Sequence, residues 1–390
     1  MRYIWHHAGF IIDHYNGGIP LSHFLKNYFR QQKQLGSRDR KIVSEMAYCW
    51  YRCSKALPDS LNFEEKMQAC LFICETYHNR ILQFLPESWQ GMKNLNLADH
   101  MDFLQQEGIS FHPDKLAPAT LSLSEGINLT DWVCSMLQQP RLFIRLRKDT
   151  KRLLQLLKEN EIDYEIVRED CLSLPNGAPI DKILPPELYV VQDASSQQTG
   201  KYFKPLPKDS WWDCCCGAGG KSLLLMDKQT QIKLTVSDKR TSILHNLSER
   251  FRLYKHHQPE QIVVDVSDEN ALKQQLGNRL FDHIICDVPC SGAGTWARTP
   301  EQLYFFEESK IAEYASLQKK IAVNASQHLK PGGTMIYITC SVFREENENV
   351  VDWIQLHSNC KAEQTELING ISIHADSMFA AVFKRELTLE

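Results

Sequence analysis

Hydrophobic residues recur at helical spacing through the first third of the chain. Within residues 38–51, one face of a helix collects Ile42, Val43, Met46, Ala47 and Trp50, which is the pattern of a helix packed against a core. The alternation of apolar and polar residues that is typical of strands is scarce in this part of the chain. The sequence therefore predicts a helical domain over residues 1–135.

The next stretch, residues 136–205, combines short apolar runs with a single helical pattern. The runs at residues 142–146, 164–167 and 188–191 predict strands. Residues 150–160 predict a helix whose inward face carries Leu153, Leu154, Leu156 and Leu157. Loops rich in proline and glycine separate these elements. We predict a small α/β subdomain here.

From residue 206 to the end, short apolar runs alternate with helical patterns. The runs lie at residues 211–216, 232–236, 262–266, 281–286, 334–339 and 378–383, and the clearest helical patterns lie at 241–254 and 303–329. Buried strands that alternate with helices indicate a doubly wound, mostly parallel sheet. The predicted fold class is α/β, with a Rossmann-like sheet over residues 206–390. Ligands of such sheets bind at the carboxyl ends of the strands, where the strand order reverses.

Composition narrows the class of protein. The chain has 390 residues, enough for two or three domains, and its 43% hydrophobic and 24% charged residues exclude wholesale disorder. No apolar run approaches the ~20 residues of a membrane span, and we expect no membrane partner. The thirteen cysteines, without an apolar export signal at the start of the chain, predict a cytoplasmic protein. A net charge of −4 excludes a uniformly basic nucleic-acid binder but is compatible with a local basic patch.

A glycine-rich loop follows the first strand of the large sheet, with the sequence DCCCGAGGKS at residues 213–222. Neither nucleotide pattern fits, because a phosphate-binding P-loop requires glycine at Cys215 and a dinucleotide fingerprint requires glycine at Ser222. A methyl donor such as S-adenosylmethionine, which carries no phosphate, fits better. Asp238 follows the second strand, where the ribose would bind, and Asp265 follows the third, where the adenine would bind. Either aspartate alone is more commonly a helix cap or turn former, but their shared placement at strand ends favours a ligand site.

Two cysteines follow the next two strands, Cys290 in DVPCSGAG at residues 287–294 and Cys340 in TCS at residues 339–341. Most cysteines pack as small hydrophobes, and that interpretation suits the pairs Cys49/Cys53 and Cys70/Cys74, whose spacing does not match a usual zinc site. We expect no metal site. Beside a methyl donor, a thiolate has a specific use, because its addition to carbon 6 of a pyrimidine turns carbon 5 into a nucleophile. Asp287 is placed to hydrogen-bond the base.

These motifs resemble the Sun/nucleolar-protein family of RNA cytosine-C5 methyltransferases. DCCCGAGGK, DVPCSGAG and TCS followed by ENE at residues 346–348 occur in the family's order, QDASSQ at 192–197 is similar to its lead-in, and MFAAVFK at 378–384 is similar to its last strand. GIPLS at 18–22 and SRDR at 37–40 are similar to the NusB-like helical domain of the bacterial 16S ribosomal RNA cytosine-C5 methyltransferase. The resemblance implies three domains: NusB-like over 1–135, RNA-binding over 136–205 and catalytic over 206–390.

The resemblance also implies roles for individual residues. Cys340 would attack carbon 6, Cys290 would assist breakdown of the covalent adduct, and Asp287 would contact the cytosine. The methyl donor S-adenosylmethionine would contact Cys215, Cys216, Gly217, Ala218, Gly219, Gly220, Lys221, Asp238, Asp265 and Asp287. Two departures from the family stand out: Ala218 replaces a proline in the glycine loop, and Ala297 replaces the first of two arginines, leaving Arg298.

Six basic residues fall within residues 141–152, opposed only by Asp149. A solvated basic face would give the same pattern, but the RNA-contacting subdomain of the family lies at this position. We therefore predict RNA contacts by Arg145, Arg147, Lys148 and Arg298. Ribosomal RNA is the predicted substrate, and the alternatives are the same chemistry on transfer RNA or a catalytically idle RNA-binding assembly factor. We expect a monomer.

Overall fold

The computed structural model describes residues 2–74, 79–92 and 96–387. These residues form two units. The first comprises Met1–Leu121, Ile127–Gln139 and Thr295–Glu307, and the second comprises Ser122–Gly126, Pro140–Gly294 and Glu308–Glu390. The segment Thr295–Glu307 thus belongs to the first unit, whereas the sequence-based division placed it in the catalytic domain. The division into three domains stays a prediction.

Helices and strands are numbered in chain order. The helices are α1 (Arg2–His14), α2 (Leu21–Gln31), α3 (Ser37–Cys53), α4 (Phe63–Ile73), α5 (Asn79–Leu82), α6 (Glu87–Gln90), α7 (Leu97–Gln106), α8 (Leu129–Ser135), α9 (Thr150–Glu159), α10 (Ile180–Ile183), α11 (Ala194–Gln198), α12 (Gly220–Lys228), α13 (Thr241–Leu253), α14 (Glu269–Leu276), α15 (Pro300–Tyr304), α16 (Ser309–Gln327) and α17 (Glu348–His357). The strands are β1 (Leu142–Leu146), β2 (Glu165–Arg168), β3 (Cys171–Leu174), β4 (Tyr189–Val191), β5 (Ser210–Asp213), β6 (Lys233–Asp238), β7 (Glu260–Val263), β8 (Phe281–Asp287), β9 (Leu329–Thr339), β10 (Cys360–Ile368) and β11 (Met378–Arg385).

The first unit is helical, as its sequence pattern predicts, and α3 lies at its centre. Ile42, Val43, Met46 and Ala47 on the predicted face of α3 are buried, because their spacing places them on one side of the helix. Arg52 near the end of α3 donates hydrogen bonds to the carbonyl oxygens of Met136, Gln138 and Ala297. These bonds tie α3 to the later segments of the same unit.

Four buried cysteines pack between α3 and α4: Cys49, Cys53, Cys70 and Cys74. The Cys53 and Cys74 sulfur atoms lie 3.6 Å apart, and burial raises the pKa of both thiols. Neutral thiols in an apolar setting behave as small hydrophobes. Within the described ranges, no three His, Cys, Asp or Glu side chains are arranged to hold a metal ion.

The second unit contains an antiparallel sheet in the order β2-β3-β1-β4 and a larger sheet in the order β10-β11-β9-β8-β5-β6-β7. In the larger sheet β5 through β9 pair in parallel, whereas β11 pairs antiparallel with both β9 and β10. Strand order reverses between β5 and β8, so the carboxyl ends of these strands define the expected ligand edge. The predicted α/β class with a mostly parallel sheet is confirmed.

Two strands escaped the sequence analysis, and one predicted helix is interrupted. β10 is an edge strand whose middle residues are mostly exposed, so it lacks the apolar run by which a buried strand is recognised. β3 is short, only Cys171–Leu174. The helix expected over 303–329 is divided into α15 and α16, where the chain passes from the first unit back to the second. Among the described residues, no helix has the length and apolar character that crossing a membrane requires.

Candidate active site

The glycine loop joins β5 to α12 at the centre of the large sheet. The backbone N–H of Cys216 donates to the Ser237 carbonyl (2.9 Å), and that of Cys214 donates to the Ile285 carbonyl (3.0 Å), so the loop is fixed to both neighbouring strands. Gly219 has a φ of +81°, and a side chain there would approach Leu247 to 2.9 Å. This close packing of α13 explains the requirement for glycine at the start of α12.

A cavity of about 320 Å³ lies beside this loop, within the size range of small-molecule sites. Its walls combine three carboxylates and two basic groups with apolar side chains. They are Cys214, Cys215, Asp238, Lys239, Arg240, Val264, Asp265, Val266, Asp287, Val288, Pro289, Leu317 and Ile321. Four predicted donor-binding residues therefore share one cavity, namely Cys215, Asp238, Asp265 and Asp287. The other predicted loop residues, 216–220, form the adjacent backbone rather than the cavity wall.

Two of the cavity aspartates are held by local contacts. Asp238, at the end of β6, accepts hydrogen bonds from the backbone and the guanidinium group of Arg240. Asp265 accepts bonds from the backbone and the hydroxyl of Ser267. Burial opposes ionisation of both groups, but these hydrogen bonds lower the pKa of each carboxyl, which therefore stays ionised at neutral pH. Asp265 lies two residues beyond the end of β7, not directly at the strand end as the sequence suggested.

Lys221 in the first turn of α12 is buried, and its Nζ lies 3.2 Å from Asp287 Oδ2 and 3.0 Å from Ser196 Oγ. A lysine at a helix N-terminus is disfavoured by the helix dipole, so the ion pair with Asp287 supplies a reason for its presence. Ser196 belongs to QDASSQ, the segment ahead of the large sheet. The structure thus joins three of the quoted motifs through one ammonium group.

Asp213, the last residue of β5, was quoted in the motif but not predicted as a site residue. It is fully buried, and its Oδ2 accepts a 2.6 Å hydrogen bond from Ser222. Burial raises the pKa of Asp213 to about 7. The hydrogen bond from Ser222 lowers this pKa, whereas the negative charge of Asp287 raises it further. The sequence signal for this residue was its position at the end of an apolar strand, directly before the glycine loop.

The two predicted catalytic cysteines lie in contact. Cys290 follows β8, Cys340 follows β9, and their sulfur atoms are 3.3 Å apart, both half-buried. The backbone N–H of Gly294 donates to the Cys340 carbonyl (2.9 Å), and a side chain at Gly294 would collide with the Ser377 carbonyl at 2.0 Å. Glycine at position 294 therefore lets the Cys290 loop lie against both the Ser377 carbonyl and the Cys340 carbonyl, which a side chain would approach to 3.0 Å. Which thiol attacks the base stays a prediction.

A buried carboxylate, that of Glu346, binds the loops of both cysteines. Glu346 accepts hydrogen bonds from the residue that follows each cysteine, Ser291 and Ser341, and from Gln318. In the sequence, Glu346 is visible only as part of the ENE motif, without a predicted role. Its partners come from three separate parts of the chain, which a motif alone does not reveal.

The RNA-binding predictions for Arg145 and Arg147 require correction. Both guanidinium groups are almost fully buried and pair with Asp227 of α12, at 2.6 Å for Arg145 and 2.7 Å for Arg147. Arg147 also lies 3.1 Å from the ring of His256. These groups are occupied inside the protein, so they are unsuited to contact RNA phosphate. Lys148 is exposed, and Arg298 is half-buried in the first unit; their RNA contacts stay predictions.

Comparison with known proteins agrees with the motif-based resemblance. Residues 201–384 match the family model described as 16S rRNA methyltransferase RsmB/F. Two curated relatives are named Ribosomal RNA small subunit methyltransferase B. The one from Klebsiella pneumoniae (strain 342) is 29% identical over 228 residues, covering 55% of this chain and 50% of the relative. The one from Serratia proteamaculans (strain 568) is 32% identical over 179 residues, covering 45% and 40%. The chain spans about half the length of the curated relatives it matches.

Solved structures share the fold. The protein PH0851 has a TM-score of 0.67 at 16% identity, covering 93% of this chain and 94% of that one. A methyltransferase homolog protein from Pyrococcus horikoshii has a TM-score of 0.58 at 18% identity, covering 75% and 100%. NSun6 from Pyrococcus horikoshii, solved with SFG, has a TM-score of 0.56 at 14% identity, covering 66% and 94%. These structures confirm the Rossmann-like fold, and the match over residues 201–384 confirms the resemblance to the Sun family.

Proposed function

Because residues 201–384 match the RsmB/F model and two thiols meet next to the glycine-loop cavity, we propose that this protein methylates RNA. The methyl group is transferred from S-adenosylmethionine to carbon 5 of a cytosine in ribosomal RNA, through a covalent adduct with a cysteine. The observation that carries this proposal is the 3.3 Å contact between Cys290 and Cys340. A fold or scaffold role alone gives no reason for two half-buried thiols to meet at adjacent strand ends.

The cavity residues fit the methyl donor. Asp238 at the end of β6 suits the ribose hydroxyls, the apolar side chains of Val264, Val266 and Ile321 suit a flat adenine ring, and Asp287 suits the ammonium end. When bound, S-adenosylmethionine supplies an electrophilic methyl group on a positively charged sulfur. The acidic wall of the cavity favours a cation there over a phosphate ligand.

The two thiols and Asp287 provide the chemistry on the base. The Cys340 thiolate forms a bond to carbon 6, and the electrons of the carbon 5–carbon 6 double bond move to carbon 5, which takes the methyl group from sulfur. A base then removes the carbon 5 proton, the double bond reforms and the thiolate of Cys340 leaves. Asp287, held by Lys221, hydrogen-bonds the edge of the cytosine as charge develops. Cys290 assists expulsion of Cys340, since its sulfur touches the one that must leave.

The target cytosine must leave its stack to reach such a site. Reading and modifying a single base requires it to be unpaired or turned out of the helix, so a loop or junction of ribosomal RNA is the expected substrate. Fractionating the labelled RNA by size after reaction separates ribosomal RNA from transfer RNA as the acceptor.

The test is to incubate the protein with cell RNA and S-adenosylmethionine labelled in the methyl group, then digest the RNA to nucleosides. We expect the label in 5-methylcytidine. Cys340→Ala should abolish both methylation and the protein–RNA adduct, whereas Cys290→Ala should accumulate an adduct that survives denaturation. Cys134→Ala, which removes another half-buried thiol from α8, serves as the control and should retain activity. Label in a different nucleoside contradicts the proposal, and an adduct in Cys340→Ala would reverse the two roles.

A further inference from the structure

We propose that Glu346 is a positioning residue that joins the loops of the two cysteines and places its negative charge next to the Cys290 loop. The inference rests on the proposed function, because it explains how the two thiols divide the reaction. It is carried by the hydrogen bonds around Glu346, and it concerns a residue that touches neither the base nor the methyl donor in the proposed reaction.

Glu346 connects the two loops directly. Its Oε1 accepts from the backbone N–H of Ser291 (2.8 Å), and its Oε2 accepts from the hydroxyls of Ser291 and Ser341 (both 2.5 Å). Ser291 follows Cys290, and Ser341 follows Cys340. A single carboxylate therefore holds the next residue after each thiol, and it is fully buried. An ionised carboxylate has acceptors only, which matches the donors that converge on it.

The residues on the other side of each cysteine are held as well. Gln318 of α16 donates its side-chain N–H to the Pro289 carbonyl (3.0 Å) and to Glu346 Oε1 (2.9 Å). Asn347 accepts from the Thr339 hydroxyl (2.6 Å) and donates to the Ser341 carbonyl (3.0 Å). Each cysteine thus lies between two anchored neighbours. This frame fixes the sulfur–sulfur distance without a direct contact between Glu346 and either sulfur.

The charge of Glu346 acts on the Cys290 thiol. The hydrogen bond with Cys340, partial burial and the negative charge of Glu346 raise the pKa of Cys290, so Cys290 stays a neutral thiol at neutral pH. Two further titratable groups that act on this site are Tyr314 and Tyr337. Burial raises the pKa of both phenols, so they stay neutral too. Cys290 therefore keeps a proton available for the thiolate that must leave in the proposed reaction.

Glu346→Gln is the variant that tests this role, because it preserves size but removes the charge and one acceptor oxygen. We expect methylation to fall by about 100-fold, the scale of loss when reacting groups are misplaced by about 1 Å. Binding of S-adenosylhomocysteine, measured by calorimetry, should be unchanged. Glu260→Gln is the matched control, because Glu260 at the start of β7 accepts from the Thr235 hydroxyl and pairs with Arg279, away from the cysteine loops.

A second readout separates positioning from general damage. The rates of iodoacetamide modification at Cys290 and Cys340 are measured as a function of pH by peptide mass mapping. In Glu346→Gln the profile of Cys290 should shift to lower pH, because the nearby negative charge is gone, whereas Glu260→Gln should leave it in place. If Glu346→Gln fails to fold, the double variant of Ser291→Ala and Ser341→Ala carries the test through loss of methylation.

The inference would be overturned if Glu346→Gln methylated RNA at the wild-type rate. It would also be overturned if the folded variant showed the wild-type pH profile of Cys290 modification. If the double serine variant is used instead, methylation at the wild-type rate by that variant would likewise overturn the inference. Failure of the proposed function gives a different result. In that case the wild-type protein makes no 5-methylcytidine, while the Cys290 profile still shifts in Glu346→Gln.

Discussion

Asp213 shows how one buried residue links this fold to pH. Burial raises its pKa to about 7, whereas the ordinary pKa of an aspartate is 3.8. Between these values the folded protein binds a proton that the unfolded chain has released. Stability from this group is therefore fully present below about pH 4 and is lost as the pH rises through about 7. The stability contribution thus runs opposite to that of an ordinary ion-paired carboxylate.

Asp213→Asn removes this titration while keeping an acceptor for Ser222. As the pH rises from about 4 to about 7, the wild-type protein should lose stability relative to the variant, so the difference in unfolding free energy should increasingly favour the variant. The expected slope is about 1.4 kcal/mol per pH unit within the interval where only the folded state is protonated. Urea unfolding at a series of pH values measures it. Ser222→Ala, which keeps the carboxyl group, should retain the pH dependence. A difference that stays constant with pH would refute the raised pKa.

Asp227 of α12 binds three side chains of the second unit. Arg145 lies in β1, Arg147 follows β1, and His256 follows α13. Burial would raise the pKa of Asp227, but hydrogen bonds from His256 and Arg147 and the charge of Arg145 hold it well below its ordinary value. Removing one partner from a buried ionic group leaves the others unpaired. We therefore expect Asp227→Asn to cost roughly 3–5 kcal/mol of unfolding free energy, measured in urea at neutral pH.

An exposed ion pair at the turn between β2 and β3 provides the comparison for Asp227. Asp170 lies 3.9 Å from Arg168, and 60% of its side chain is exposed. Asp170→Asn should cost less than about 1 kcal/mol, because solvent screens the pair. Equal losses in the two variants would mean that the Asp227 cluster adds nothing beyond an ordinary surface contact.

These elements also show what the sequence can predict. The buried strands β5, β6, β8 and β9 were visible because both of their faces are covered, which leaves a continuous apolar run. The edge strand β10 was not, since most of its middle residues face solvent. Cys290 and Cys340 were found because each follows a strand of the same parallel edge. Glu346 was not, because its role depends on donors that the fold brings together from residues 291, 318 and 341.

Charge across the whole molecule illustrates the same limit. The sequence contains six basic residues within 141–152, but it does not reveal which of them are used internally. Arg145 and Arg147 are occupied by Asp227, which lies 82 and 80 residues further along the chain. Lys148, Lys151 and Arg152 are exposed. A protein with a net charge of −4 needs such a local group of cations to hold an RNA backbone.

If these three exposed cations contact phosphates, replacing them with alanine should weaken RNA binding by a salt-dependent amount. The variant combines Lys148→Ala, Lys151→Ala and Arg152→Ala. We expect the negative slope of log affinity against log salt concentration to become shallower by about 2. Filter binding across a salt series measures the slope, and S-adenosylhomocysteine binding should not change. The matched control removes the same charge from exposed lysines of β6, α14 and β10, namely Lys233, Lys273 and Lys361. Because β6 begins at Lys233, at the strand end opposite the glycine loop, this control should keep the wild-type slope. Equal slopes in the two variants would assign the effect to net charge rather than to a phosphate-binding site beside β1.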